Sequence, residues 1–136
     1  MKADINTAQK KQILIADDDP DILEQMRFRL EAWGFDVCAV ESQKKAEEKI
    51  KAGKPALAIY DLMMENQDSG FVLSYLTKKM YPDVPVILIT SVTSETGFHF
   101  DSSTEETREW IKADAVLDKD IRYEQLESEI NRLLKG

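Results

Sequence analysis

A chain of 136 residues with 43% hydrophobic content has room for one domain around one core. Its 26 acidic residues outnumber its 18 basic ones, and the net charge of -8 opposes binding to the phosphate backbone of nucleic acid. The single Cys38 excludes an internal disulfide, no apolar run is long enough to span a bilayer, and the polar start Met1 to Gln12 lacks the apolar centre of a signal peptide. These features predict a cytoplasmic protein that engages neither nucleic acid nor membrane, with residues 1–10 as a loose tail and one domain over 11–136.

Gln12 to Ala16 is a β-branched apolar run that reads as a strand, and Asp17-Asp18-Asp19-Pro20 follows it directly. Pro20 suits the first position of a helix, where its missing N–H costs nothing, and Asp19 suits the cap before it. The helix carries Ile22, Leu23, Met26, Leu30 and Trp33 on one stripe and stops at Gly34. Asp36 to Val40 predicts a second strand with the Cys38 thiol buried on it. Ala46 and Ile50 mark the thin apolar side of a charged helix ending at Gly53-Lys54-Pro55. Ala56 to Tyr60 has no polar alternation, as a central parallel strand covered on both faces requires, and burial is expected to stop at Asp61.

After a polar loop to Gly70, Phe71, Val72, Tyr75, Leu76 and Met80 keep helical spacing up to the break at Pro82-Asp83-Val84-Pro85. Val86 to Ile89 is a further buried strand, and it delivers Thr90-Ser91 to its carboxyl end. Residues 91–103 read as a loop, and Ser103 with Glu106 forms a capping box for a helix carrying Trp110 and Ile111. Ala115-Val116-Leu117 is a short strand ending in Asp118-Lys119-Asp120; Tyr123, Leu126, Ile130, Leu133 and Leu134 stripe the last helix.

Strand and helix therefore alternate five times, which predicts an α/β fold of flavodoxin-like, doubly wound (βα)5 type with parallel sheet order 2-1-3-4-5. That order sets strands one and three side by side, so Asp17, Asp18 and Asp61 converge at their carboxyl ends. An Asp after a strand is also commonly a helix or loop cap, and Asp61 alone does not separate the two readings. The neighbouring strand ends add Thr90 and Lys119. Crowded carboxylates are relieved by a proton or by a cation, and an all-oxygen set without His or Cys selects a hard ion such as Mg²⁺. Asp18 and Asp61 are the expected direct ligands, with Asp17 acting through water. Lys119 supplies a point charge and Thr90 a hydroxyl donor for the oxygens of a phosphoryl group, which leaves Asp61 as nucleophile.

With Asp17-Asp18, Asp61, Thr90 and Lys119 at these strand ends, the chain resembles the receiver domain of bacterial two-component response regulators over nearly its whole length. The resemblance implies Mg²⁺-dependent transfer of a phosphoryl group onto Asp61 from a histidine kinase or phosphotransfer protein, or from a small acyl phosphate. It makes the backbone carbonyl of Met63 a further metal ligand. It also implies that the added charge draws in Thr90 and Lys119 and shifts the domain between two populations, read by a downstream protein effector at the face of the fourth helix, fifth strand and fifth helix. Met63 and Val92, two residues beyond Asp61 and Thr90, are apolar where other receivers often carry polar side chains, which implies slow loss of the phosphoryl group.

The chain departs from the family pattern at several positions. Asp120 follows Lys119 where a cis proline is common; a non-proline cis bond costs about 2.5 to 4 kcal/mol, so a trans bond is expected. Val116 replaces the switch aromatic, Glu65 stands where Pro is common, and the loops before Gly70 and between Thr90 and Lys119 are longer. Phe98-His99-Phe100 reads as a loop folding its aromatics onto its own surface, with a partner patch or a lid over Asp61 as the alternative. Trp110 is open between core stripe and exposed contact. Among competing functions, a phosphatase of haloacid-dehalogenase type needs a second Asp where Met63 stands, and a flavin or nucleotide binder meets repulsion from Asp17-Asp18-Asp19. A receiver fold that only docks, without phosphorylation, is the remaining alternative.

Overall fold

A computed structural model describes residues 11–66, 68–90, 113–118 and 123–135. In chain order the elements are β1 (Gln12–Ala16), α1 (Pro20–Ala32), β2 (Asp36–Val40), α2 (Gln43–Ala52), β3 (Leu57–Asp61), α3 (Ser69–Met80), β4 (Val86–Thr90), β5 (Ala115–Asp118) and α4 (Tyr123–Lys135). All strand pairs are parallel, and the sheet runs β2-β1-β3-β4-β5, the doubly wound order expected from the alternation. Burial follows position in the sheet. Every residue of β3 and β4 is buried, whereas the edge strands β2 and β5 are only partly so.

Successive side chains along a strand leave on opposite faces, so the two faces carry separate cores. On one, Ile13, Ile15, Ile59 and Ile87 pack with Leu30 of α1 and Leu126 of α4. On the other, Leu14, Tyr60 and Leu88 meet Ala46 and Ile50 of α2 and Leu73 of α3. The stripes expected for α1, α2 and α4 are the faces that these helices bury.

Local signals account for the ends of α1. Asp19 caps it, its carboxylate accepting from the N–H groups of Asp21 (3.0 Å) and Ile22 (3.4 Å), and Pro20 opens it. At the other end Gly34 takes φ +97°, and the Phe35 and Gly34 amides donate back to Leu30 O and Glu31 O, closing a Schellman motif. Here a glycine is required, because a side chain in the left-handed region is strained.

Three expectations need correction. Burial does not stop at Asp61: the residue belongs to β3, is 4% exposed, and is followed by buried Leu62, whose N–H donates to Ile89 O at 2.9 Å. Ladder hydrogen bonding thus carries the strand's environment two residues past Tyr60, to Leu62. Cys38 is half-buried rather than buried, because β2 is an edge strand. The third correction concerns α3, whose buried face is Ser69, Gly70, Leu73, Ser74 and Thr77. Of the stripe expected there, Phe71 and Leu76 are half-buried against the core, while Val72, Tyr75 and Met80 are exposed.

The reason lies in β3. Tyr60 is fully buried, and its phenol needs a partner; Thr77 Oγ1 lies at 2.6 Å and itself donates to Leu73 O at 2.7 Å. Close approach also demands thin residues. A Cβ on Gly70 would stand 2.7 Å from Leu62 Cα and 2.9 Å from Asp61 O, closer than carbon or oxygen tolerates. Small and hydroxyl side chains therefore occupy the face that a hydropathy stripe assigns to large apolar ones.

At the amino ends of the strands a charged clasp joins three elements. Asp114 Oδ2 accepts from Lys78 Nζ and from Val86 N–H, each at 2.8 Å, while Lys78 also donates to Val84 O. The Tyr81 hydroxyl donates to Ile50 O at 2.8 Å and ties α3 to the end of α2. The expected tail 1–10, the 91–103 loop with Phe98-His99-Phe100, the Ser103–Glu106 capping box and Trp110 lie outside the described residues.

Candidate functional site

At the carboxyl edge of the sheet β1 and β3 run in register up to the Ala16–Tyr60 pair, and the next residues on the two strands are Asp17 and Asp61. Both continue the face that carries Ile15 and Ile59. The sheet thus presents two carboxylates side by side. Asp17 is 3% exposed and Asp61 4%, while Asp18 is exposed to solvent. Oxygens of all three lie within 4.8 Å of one another.

The three aspartates of the turn divide their work. Asp19 caps α1, and Asp17 Oδ1 accepts from the Asp19 N–H at 2.9 Å, which fixes the turn and orients the Asp17 carboxylate. Asp18 is left facing the cluster from the solvent side. Like charges held this close in a partly desolvated place repel strongly, and a hard cation relieves that repulsion without removing a charge from any ligand. An all-oxygen donor set of this kind fits Mg²⁺. Thr90 ends β4, buried at 2% exposure, one residue past the Asp61–Ile89 pair on the neighbouring strand. Lys119, Val92 and Asp120 lie outside the described residues. Val116 is half-buried against the core on the α2 and α3 side.

Met63, exposed, opens the loop from β3 to α3. That loop is held at its base by Gly70 N–H, which donates to Leu62 O at 2.7 Å. A second attachment was not foreseen from the sequence. The Glu65 carboxylate accepts from the N–H groups of Gln43 (2.7 Å) and Lys44 (3.3 Å), the first two residues of α2. In return Gln43 Oε1 accepts from Asn66 Nδ2 (3.1 Å) and from the buried Ser69 hydroxyl (2.7 Å). Slight burial works to raise the Glu65 carboxyl, but the backbone N–H groups that it meets, Gln43 first, hold it below the ordinary carboxylate range. The available signal was electrostatic: α2 starts Gln-Lys-Lys with no acid in its first turn, a poor match for the positive end of a helix dipole.

The family model for the response regulator receiver domain matches residues 13–131. Among curated relatives, the transcriptional regulatory protein GlrR of Escherichia coli (strain K12) is 34% identical over 79 residues, covering 58% of this chain and 18% of that protein. The alkaline phosphatase synthesis transcriptional regulatory protein PhoP of Bacillus subtilis (strain 168) is 28% identical over 85 residues, 62% of this chain and 35% of that protein. The matches thus span about a third or less of the length of these relatives. Among solved structures, a CheY-like receiver domain protein from Methanospirillum hungatei JF-1 superposes with TM-score 0.78 at 24% identity, covering 93% of this chain and 95% of that one. TrrA from Thermotoga maritima, in complex with Mg(2+)-BeF, does so with TM-score 0.74 at 23% identity, covering 91% and 99%. These two likenesses concern the fold. The family match extends from β1 into α4 and takes in the strand ends where the aspartates meet, and by it the chain belongs to the response regulator receiver domains of two-component signalling.

Proposed function

We propose that this domain accepts a phosphoryl group on Asp61, from the phosphohistidine of a histidine kinase or phosphotransfer protein or from a small acyl phosphate, and so switches a protein-interaction face. The observation that carries this reading is the meeting of three carboxylates within 4.8 Å, with the buried Asp61 at the end of a central strand. A carboxylate oxygen of Asp61 attacks phosphorus; the bond from phosphorus to the donor nitrogen breaks, and its electron pair stays on the imidazole, which takes up a proton. Bound Mg²⁺, held by Asp18, Asp61 and the Met63 backbone carbonyl with Asp17 acting through water, would supply charge neutralisation at the phosphoryl oxygens.

The remaining roles belong to this chain's own residues. Thr90 donates a hydroxyl hydrogen bond and Lys119 a point charge to the transferred group, whose added charge of about 1.5 to 2 units rewards their approach. The apolar Met63 and Val92 place no polar group to orient an attacking water, so the phosphoryl group leaves slowly. In this reading the protein takes part in its own phosphorylation and dephosphorylation and is not a turnover enzyme. Its site lies in the cytoplasm, where its kinase partners present phosphohistidine.

Intact mass after incubation with acetyl phosphate, with and without Mg²⁺, tests the reading. One added phosphoryl group is expected only with the metal and not on Asp61→Asn. Label that persists on the variant would remove Asp61 from the role. Absence of both label and Mg²⁺-dependent beryllofluoride binding would favour a docking-only receiver fold.

A further inference from the structure

The bonds between Glu65 and α2 link the loop that carries Met63 to a helix more than twenty positions earlier in the chain, and they run in both directions. Glu65 gives α2 the negative charge that its own first turn lacks, where Lys44 and Lys45 oppose the helix dipole. Gln43 Oε1 in turn accepts from Asn66 Nδ2 and from the Ser69 hydroxyl, and Ser69 Oγ accepts from the Asn66 N–H at 3.1 Å. The loop is therefore fixed at two points, Gly70 against Leu62 on one side and Glu65 on α2 on the other, and Met63 lies between them. A backbone carbonyl has no rotamer of its own; where it points is set by the loop.

We propose that Glu65 and Gln43 are positioning residues: their latch aims the Met63 carbonyl at the ion-binding edge and couples cation binding to the N-terminus of α2. The proposal rests on the reading of the acidic cluster given above. It assigns to an exposed loop carboxylate a part in binding a cation that it does not itself touch. By linkage the coupling is reciprocal: a cation that steadies the loop also steadies the first turn of α2.

Two readouts besides phosphorylation test it, on the full chain. Calorimetric titration with Mg²⁺ is expected to show a Kd raised about tenfold in Glu65→Ala, the size typical of lost supporting contacts, with Glu65→Gln between that variant and the natural protein. Ser42→Ala supplies the control. It removes the hydroxyl that accepts from Lys45 N–H at 3.1 Å, and so weakens the same helix end without touching the loop. Its Kd is expected to rise by clearly less than that of Glu65→Ala, because the Glu65 contacts with Gln43 and Lys44 remain. In parallel, amide exchange at Gln43 and Lys44 is expected to slow on adding Mg²⁺ to the natural protein and not to Glu65→Ala. An unchanged Kd in Glu65→Ala, or an equal loss in Ser42→Ala, overturns the latch while leaving the cation site standing. A natural protein that binds no Mg²⁺, or an Asp18→Asn variant that binds as tightly as the natural protein, overturns the site reading and the latch with it.

Discussion

Tyr60, the residue before Asp61, shows how one buried hydroxyl shapes its surroundings. Burial pushes its phenol well above the ordinary tyrosine range, and the hydrogen bond with Thr77 offsets only part of that. A raised folded-state value means that the unfolded chain loses this proton first. Stability from this group is therefore complete below about pH 10, the unfolded value, and is lost as pH rises beyond it. Urea unfolding of Tyr60→Phe should show a flatter alkaline decline than the natural protein. At neutral pH the same variant should cost only about 1 kcal/mol, because Thr77 keeps its bond to Leu73 O. A decline of equal steepness in the variant would assign the alkaline loss to other groups.

Among the helices, α3 departs furthest from its hydropathy. Ser74 is fully buried, and its hydroxyl has no hydrogen-bond partner among the described residues, so Ser74→Ala should stabilise the fold by about 1 kcal/mol in thermal or urea unfolding. Gly70→Ala should do the opposite, by about 1 to 3 kcal/mol, since the new methyl meets backbone atoms of Leu62 and Asp61 rather than a yielding side chain. Its acceptance of phosphoryl label should fall too, because the displaced atoms adjoin Asp61. The strands and the stripes of α1, α2 and α4 were readable because hydrophobic periodicity and capping chemistry are local. The inner face of α3 was not, since its composition answers to Tyr60 and to the close approach of β3, both distant in sequence. The Glu65 latch escaped for the same reason. By contrast the meeting of Asp17, Asp18 and Asp61 was readable, because parallel topology brings strand ends together whatever lies between them.

For the molecule as a unit, a net charge of -8 and a crowded acidic edge mean that a bound cation should stabilise the fold as well as serve chemistry. At about a hundred times its Kd, Mg²⁺ should add about 2.7 kcal/mol, visible as a rise of several degrees in Tm. Chelation should reverse the rise, and Asp18→Asn should show little of it. An equal rise in that variant would point to general screening of the acidic surface.

The Asp114 clasp bears on how such a molecule can move. Lys78 fastens the late turns of α3 to the start of β4 through Asp114, whereas Gly70 rests directly against the chain beside Asp61. By helical rise these two points are about 12 Å apart. A push delivered at Gly70 would therefore act on a rod pinned near its far end, and α3 would swing about that pin where an unpinned helix would slide.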